Sequence, residues 1–145
     1  MRPLDEPICR FLSRHHVLTL ATTDHEGMAW CSNAFYAFDA ERGQLIFSSE
    51  GETAHVAHMV ADNRVAVSVV LETRIVGRVQ GCQIRGKAAE ADDKAWRRYL
   101  RRFPYAAAMT GMKVWAVEMD YAKLTDNTLG FGKKLVWQRD SDMEQ

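Results

Sequence analysis

Hydroxyl and imidazole side chains crowd one short segment of this 145-residue chain. The apolar run Leu45-Ile46-Phe47 ends in Ser48-Ser49, Gly51 turns the backbone, and Thr53 and His55 open what reads as a short helix. The first turn of a helix has backbone N–H groups without intrahelical partners and carries the positive end of the dipole. Beside a rim of hydroxyls, such an end suits a phosphate. His55, His58 and Asp62 also have metal-ligand spacing on one helical face, but no metal signature surrounds them, and a polar helix face is the expectation. No metal site is expected.

A second concentration of charge is Arg97, Arg98, Arg101 and Arg102. Asp92 and Asp93 at the start of that segment and arginines near its end both complement a helix dipole, which predicts a solvated face. Nucleic acid is not an expected partner, because Lys plus Arg (19) equals Asp plus Glu (19) and no basic excess remains. No apolar run approaches the roughly 20 residues that span a bilayer, and the first residues do not read as a signal peptide. Three scattered cysteines (Cys9, Cys31, Cys82) read as reduced thiols, Cys31 and Cys82 as small buried hydrophobes. A cytoplasmic protein of one domain, residues 1–145, is expected.

The elements that must position these side chains follow from local pattern. Asp5 and Pro7 start a helix with Leu4, Ile8, Phe11 and Leu12 as its stripe. Strands are predicted over 16–23, 28–39 and 44–49, with turns at 24–27 and 39–43. A short helix from about Thr53 buries Val56, Met59 and Val60. The β-branched run 64–71 and the segment 80–90 are strands, with Gly81 and Gly86 marking a bulge or a close approach. Asp92 caps a helix that turns Ala95, Trp96, Tyr99, Leu100 and Phe103 inward, and strands over 113–124 and 133–139 follow. Trp30, Trp115 and Trp137 are expected in the core or an interface. Six or seven strands with short helices predict a mainly β fold, a small β-barrel.

Several strings carry a family likeness: Ser32-Asn33-Ala34-Phe35-Tyr36, the segment Ser49 to Met59, Ile84-Arg85-Gly86-Lys87, Arg101-Arg102-Phe103-Pro104, and Thr125 to Lys134. In these the chain resembles the pyridoxamine 5′-phosphate oxidase-like, FMN-binding split-barrel superfamily, and within it the small YhbP-like bacterial branch. The resemblance implies a homodimer with FMN bound at the subunit interface by both chains. Asn33, Ala34 and Phe35 would flank the isoalloxazine, and Ser48, Ser49, Thr53 and His55 would surround the phosphate. From the partner would come Lys134, where the oxidases carry a flavin-contacting arginine, and Trp137, the tryptophan placed to touch flavin.

Two departures accompany the likeness. Oxidases follow the phosphate-binding serine with two basic residues, whereas Thr53 is followed by Ala54 and His55; His55 protonated by a neighbouring phosphate, or Arg85 and Lys87 from the adjacent strand, are the candidates to compensate. The arginine and histidine that oxidases use on substrate fall on Gly130 and Gly132, which have no side chain for a substrate phosphate. The resemblance therefore implies a flavin-dependent oxidoreductase of another small molecule rather than a pyridoxamine phosphate oxidase, with no catalytic residue assignable. Two other classes stay open: a flavin- or haem-binding module without turnover, with His55 or His58 as an axial ligand, and an unliganded interaction dimer.

Overall fold

The computed structural model describes residues 1–129 and 133–140. Helix α1 (Glu6–Arg14) has proline in its first turn and buries Ile8, Phe11 and Leu12. Strands β1 (Val17–Thr23), β2 (Ala29–Asp39) and β3 (Gln44–Glu50) form a meander, Gly27 and Gly43 supplying the positive φ of its turns. Helix α2 (Ala54–Ala61) leads to β4 (Arg64–Leu71) and β5 (Gln80–Glu90), and α3 (Asp93–Arg102) to β6 (Met112–Asp126) and β7 (Lys134–Gln138). At the start of α3 the Asp92 carboxylate accepts the Ala95 N–H at 2.9 Å, the cap its sequence calls for.

The sheet order is β3-β2-β1-β4-β5-β6-β7, and β3 also pairs with β6, which closes a six-stranded antiparallel barrel. The expected barrel is thus the observed one. β6 serves two partners along one edge: residues 112–118 pair with β3, and residues 121–125 with β7. Its other edge pairs with β5, whose register slips between Arg85 and Gly86. A Cβ at Gly86 would stand 2.3 Å from the Glu118 carbonyl oxygen and 2.9 Å from Val117 Cγ1, so only glycine lets the strands approach. Gly81 meets no such crowding, with its nearest neighbour at 3.5 Å.

Two apolar clusters hold the molecule. The barrel interior, with Leu18, Leu20, Phe47, Val67 and Ile84, is closed by α1 and by Val56 and Met59 of α2. Outside the barrel, Ala37, Ile46 and Ala116 receive Ala95 and Tyr99 of α3. The rest of the outer face, over β1, β4, β5 and the neighbouring parts of β2 and β6, has no helix packed on it among the described residues.

Two expectations need correction, and a third narrows. Val60 is 74 % exposed, because α2 presents only Val56 and Met59 to the barrel. Cys31 is exposed, since the outward positions of β2 before Phe35 lie on that uncovered face, whereas Cys82 is buried as expected. Trp30, 52 % exposed, is not in the core of the chain, which leaves the interface half of its expectation.

Candidate functional site

Alternation along β3 separates the two serines of Ser48-Ser49. Ser49 points to the barrel side, is 6 % exposed, and lies 2.6 Å from His55 Nε2. Thr53 Oγ1 lies 3.3 Å from the same nitrogen, so Ser49, Thr53 and His55 converge at the start of α2. Ser48 points the other way and pairs with the Tyr99 hydroxyl of α3 at 2.8 Å. The structure therefore brings together three of the four expected phosphate-site residues, and the pleat turns the fourth toward α3.

Thr53 stands at the N-cap position of α2, yet its hydroxyl donates backward to the Glu50 carbonyl at 3.1 Å instead of capping the helix. The first-turn N–H groups are thus left to an external acceptor. Burial lowers the His55 pKa below its ordinary 6.5, and the neighbouring His58 adds to this, so the imidazole is neutral at pH 7. The cluster offers hydrogen bonds and a helix end rather than a permanent cation. Arg85 and Lys87, the candidates to supply one, are engaged elsewhere: Arg85 lies over the Tyr121 ring at 4.7 Å, and Lys87 Nζ lies 4.0 Å from Asp120.

Beside the cluster the barrel opens. β2 and β3 pair from Asp39↔Gln44 to Tyr36↔Phe47 and then part. One pleat further along that register, Ala34 would face Ser49. Residues 29–35 of β2 pair only with β1, so their other edge has no strand partner among the described residues. Asn33 and Phe35 point outward there: Asn33 Nδ2 donates to Thr19 Oγ1 at 2.9 Å, and Phe35 is 55 % exposed against Phe103 at 6.2 Å. Ala34 is half-buried against the barrel interior.

The outer face carries a groove of about 410 Å³ that the linear sequence did not reveal. The register aligns Cys31, Ala21, Ala66, Arg85 and Tyr121 in one row across five strands. Thr19, Ser68, Gln83 and Lys123 form the next row. The small residues in the middle make the floor. No strand contributes more than three of the lining residues, which is why no local motif announces the groove.

The expected partner-chain residues lie apart from the cluster. Lys134 is exposed on β7, opposite Thr125, in a recess with Pro7 and Leu135. Trp137 is fully buried, and its indole N–H donates to the Arg2 and Pro3 carbonyls at 3.1 and 3.2 Å. That ring belongs to the core and presents no face to a ligand. Gly130 and Gly132 lie outside the described residues. His58 Nδ1 is 2.8 Å from Thr22 Oγ1, Asp62 is forked to Arg64 at 3.0 and 2.8 Å, and no metal-binding group occurs among the described residues. No described helix is long and apolar enough to cross a membrane.

The pyridoxamine 5′-phosphate oxidase family pattern matches residues 4–126. The chain is 42 % identical over 142 residues to the UPF0306 protein YhbP of Salmonella paratyphi A, covering 95 % of each. Among solved structures it resembles a heme binding protein from Mycobacterium smegmatis (TM-score 0.72, 18 % identity, 88 % of this chain and 55 % of that one). It also resembles a FAD-binding protein from Mesorhizobium loti (TM-score 0.67, 16 % identity, 83 % and 94 %). At these identities the two structures speak for the fold alone.

Proposed function

This chain belongs to the pyridoxamine 5′-phosphate oxidase family, in its YhbP-like branch, and from that premise we propose that it binds FMN as a homodimer and acts as a flavin-dependent oxidoreductase on a small molecule. The observation that carries the reading is the parting of β2 from β3 beside Ser49, Thr53 and His55. A phosphate at the start of α2 would accept from the free first-turn N–H groups, and the Ser49 and Thr53 hydroxyls would turn from His55 and the Glu50 carbonyl to donate to it. The donor set fits one such group. One pleat away, the unpaired edge of residues 29–35 offers backbone donors and acceptors to the polar rim of a flavin ring, with Asn33, Ala34 and Phe35 along it.

When bound, the flavin supplies the redox chemistry. The chain would hold the phosphate through Ser49, Thr53 and His55, with Asn33, Ala34 and Phe35 of β2 as the residues beside the ring. The uncovered outer face of β1, β4 and β5 would receive the second copy, whose Lys134 would bring a positive charge to the ring. A positive charge there favours an anionic reduced ring. Flavin is favoured over haem because His55 stands with Ser49 and Thr53 at a helix start, a donor set suited to a phosphate. Gly130 and Gly132 give a substrate phosphate no side chain to bind, so pyridoxamine phosphate is not the proposed substrate.

Absorption spectra of freshly purified protein, followed by titration with FMN, test the proposal. The two visible bands of a flavin, or saturable quenching of added FMN, support it. A Soret band would assign haem instead. A colourless protein that leaves FMN fluorescence unchanged would refute flavin binding.

A further inference from the structure

A second recess lies on the other side of β2, between α1 and α3. It measures about 180 Å³ and is lined by Ser13, Ala37, Phe38, Arg98, Arg101 and Arg102. The helix dipole accounts for basic residues in the last turn of α3. It does not account for three guanidiniums turned into one hollow. Positions 98, 101 and 102 are spaced three and four apart, so the like charges are neighbours on one helical face and repel each other.

Two of the three arms are held. Arg98 Nε lies 3.6 Å from the carboxylate of Asp39, which is fully buried. Arg102 donates to the His15 carbonyl at 3.0 Å, contacts His16 Nδ1, and stacks over the Tyr36 and Phe103 rings at 5.7 and 5.6 Å. Arg101, between them, has no hydrogen-bond or ion-pair partner among the described residues. Asp39 is thus the one carboxylate paired with the three guanidiniums among the described residues, which leaves an excess of two positive charges around a cavity with a hydroxyl at its edge.

We propose that this recess is a binding site for a tetrahedral oxyanion of phosphate size, free or as the terminal group of a small phosphomonoester. Guanidinium forks match phosphate oxygens, and arms fixed in advance lose little freedom on binding. The volume of about 180 Å³ admits such a group, and whatever carries it would extend outside the recess. The site is separate from the Ser49 cluster. Phe38 pairs with Leu45, and Ser49 lies four residues further along β3, about 13 Å at roughly 3.3 Å per residue. The proposal does not depend on flavin binding.

Arginine Nε–Hε and backbone NMR spectra of the full chain, titrated with inorganic phosphate and separately with glycerol phosphate, test it. Sodium chloride at matched ionic strength is the control. The expected result is saturable shifts at Arg98, Arg101 and Arg102 that chloride does not reproduce. Arg101→Gln should weaken binding at least tenfold while the spectrum stays folded, because Arg101 supports nothing else. Saturation by glycerol phosphate alone would assign the phosphomonoester; saturation by both would assign the free anion as sufficient. Shifts that grow linearly and equally with chloride, shifts confined to Ser49, Thr53 and Ala54, or an Arg101→Gln variant that binds like the native chain would overturn the proposal.

Discussion

Replacing His55 by lysine should tighten FMN binding, and the structure sets the size of the gain. His55 Nε2 stands 2.6 Å from Ser49 Oγ and 3.3 Å from Thr53 Oγ1, but burial keeps the imidazole neutral at and above pH 7. A neutral hydrogen bond contributes about 0.5–1.5 kcal/mol and a charge-assisted one about 1.5–3 kcal/mol. The difference, about 1–1.5 kcal/mol, corresponds to a roughly five- to tenfold lower dissociation constant for His55→Lys. His55→Ala removes the neutral contact and should raise the constant about two- to tenfold. Riboflavin, which lacks the phosphate, is the internal control and should bind the native chain and both variants alike. Fluorescence quenching at pH 8 measures all six constants. At pH 6 the gap between native and lysine chains should narrow, because a bound phosphate favours protonation of the imidazole. If the lysine variant binds FMN no better than the native chain, or riboflavin responds as FMN does, the phosphate is not at the start of α2.

Three further outcomes follow from the same structure. Gly86→Ala forces a Cβ to within 2.3 Å of the Glu118 carbonyl oxygen and should cost about 1–3 kcal/mol or more in urea unfolding; unchanged stability would mean that the β5 bulge is misplaced. Ser48→Ala breaks the bond to Tyr99 and should cost about 0.5–1.5 kcal/mol while leaving FMN affinity unchanged, because Ser48 faces α3; a loss of FMN affinity would return Ser48 to the phosphate site. The pKa values of His15 and His55 both lie below the ordinary 6.5, burial being the larger cause in each. The unfolded chain therefore takes up protons first, and stability present above pH 6.5 should fall as the pH drops through and below that value. Denaturant midpoints from pH 8 to 5 measure it, and a His55→Gln chain with the same slope as native would remove His55 from the account.

The elements were legible because their signals are local. Proline and aspartate at helix starts, glycine in the hairpin turns and period-two alternation along the strands each act within a few residues. The six-stranded barrel, its seventh, flanking strand and the three α-helices appear where those signals place them. What failed depends on phase and on distant partners. The eight residues of α2 are too few to fix which side faces inward, and Val60 came out exposed. Adjacent serines looked equivalent until the pleat sent Ser48 and Ser49 to opposite faces. Trp137 looked available for a ligand because nothing nearby in sequence announces that Arg2 and Pro3 close over it. The outer groove was invisible for the same reason, being assembled from five strands one pleat at a time.

A crystal structure of the chain grown with FMN decides whether the start of α2 seats the phosphate. The expected result is a two-fold dimer with the flavin phosphate at Ser49, Thr53 and the first turn of α2, and the ring along the open edge of residues 29–35. A monomer, or a flavin seated away from Ser49 while that edge stays bare, would contradict it.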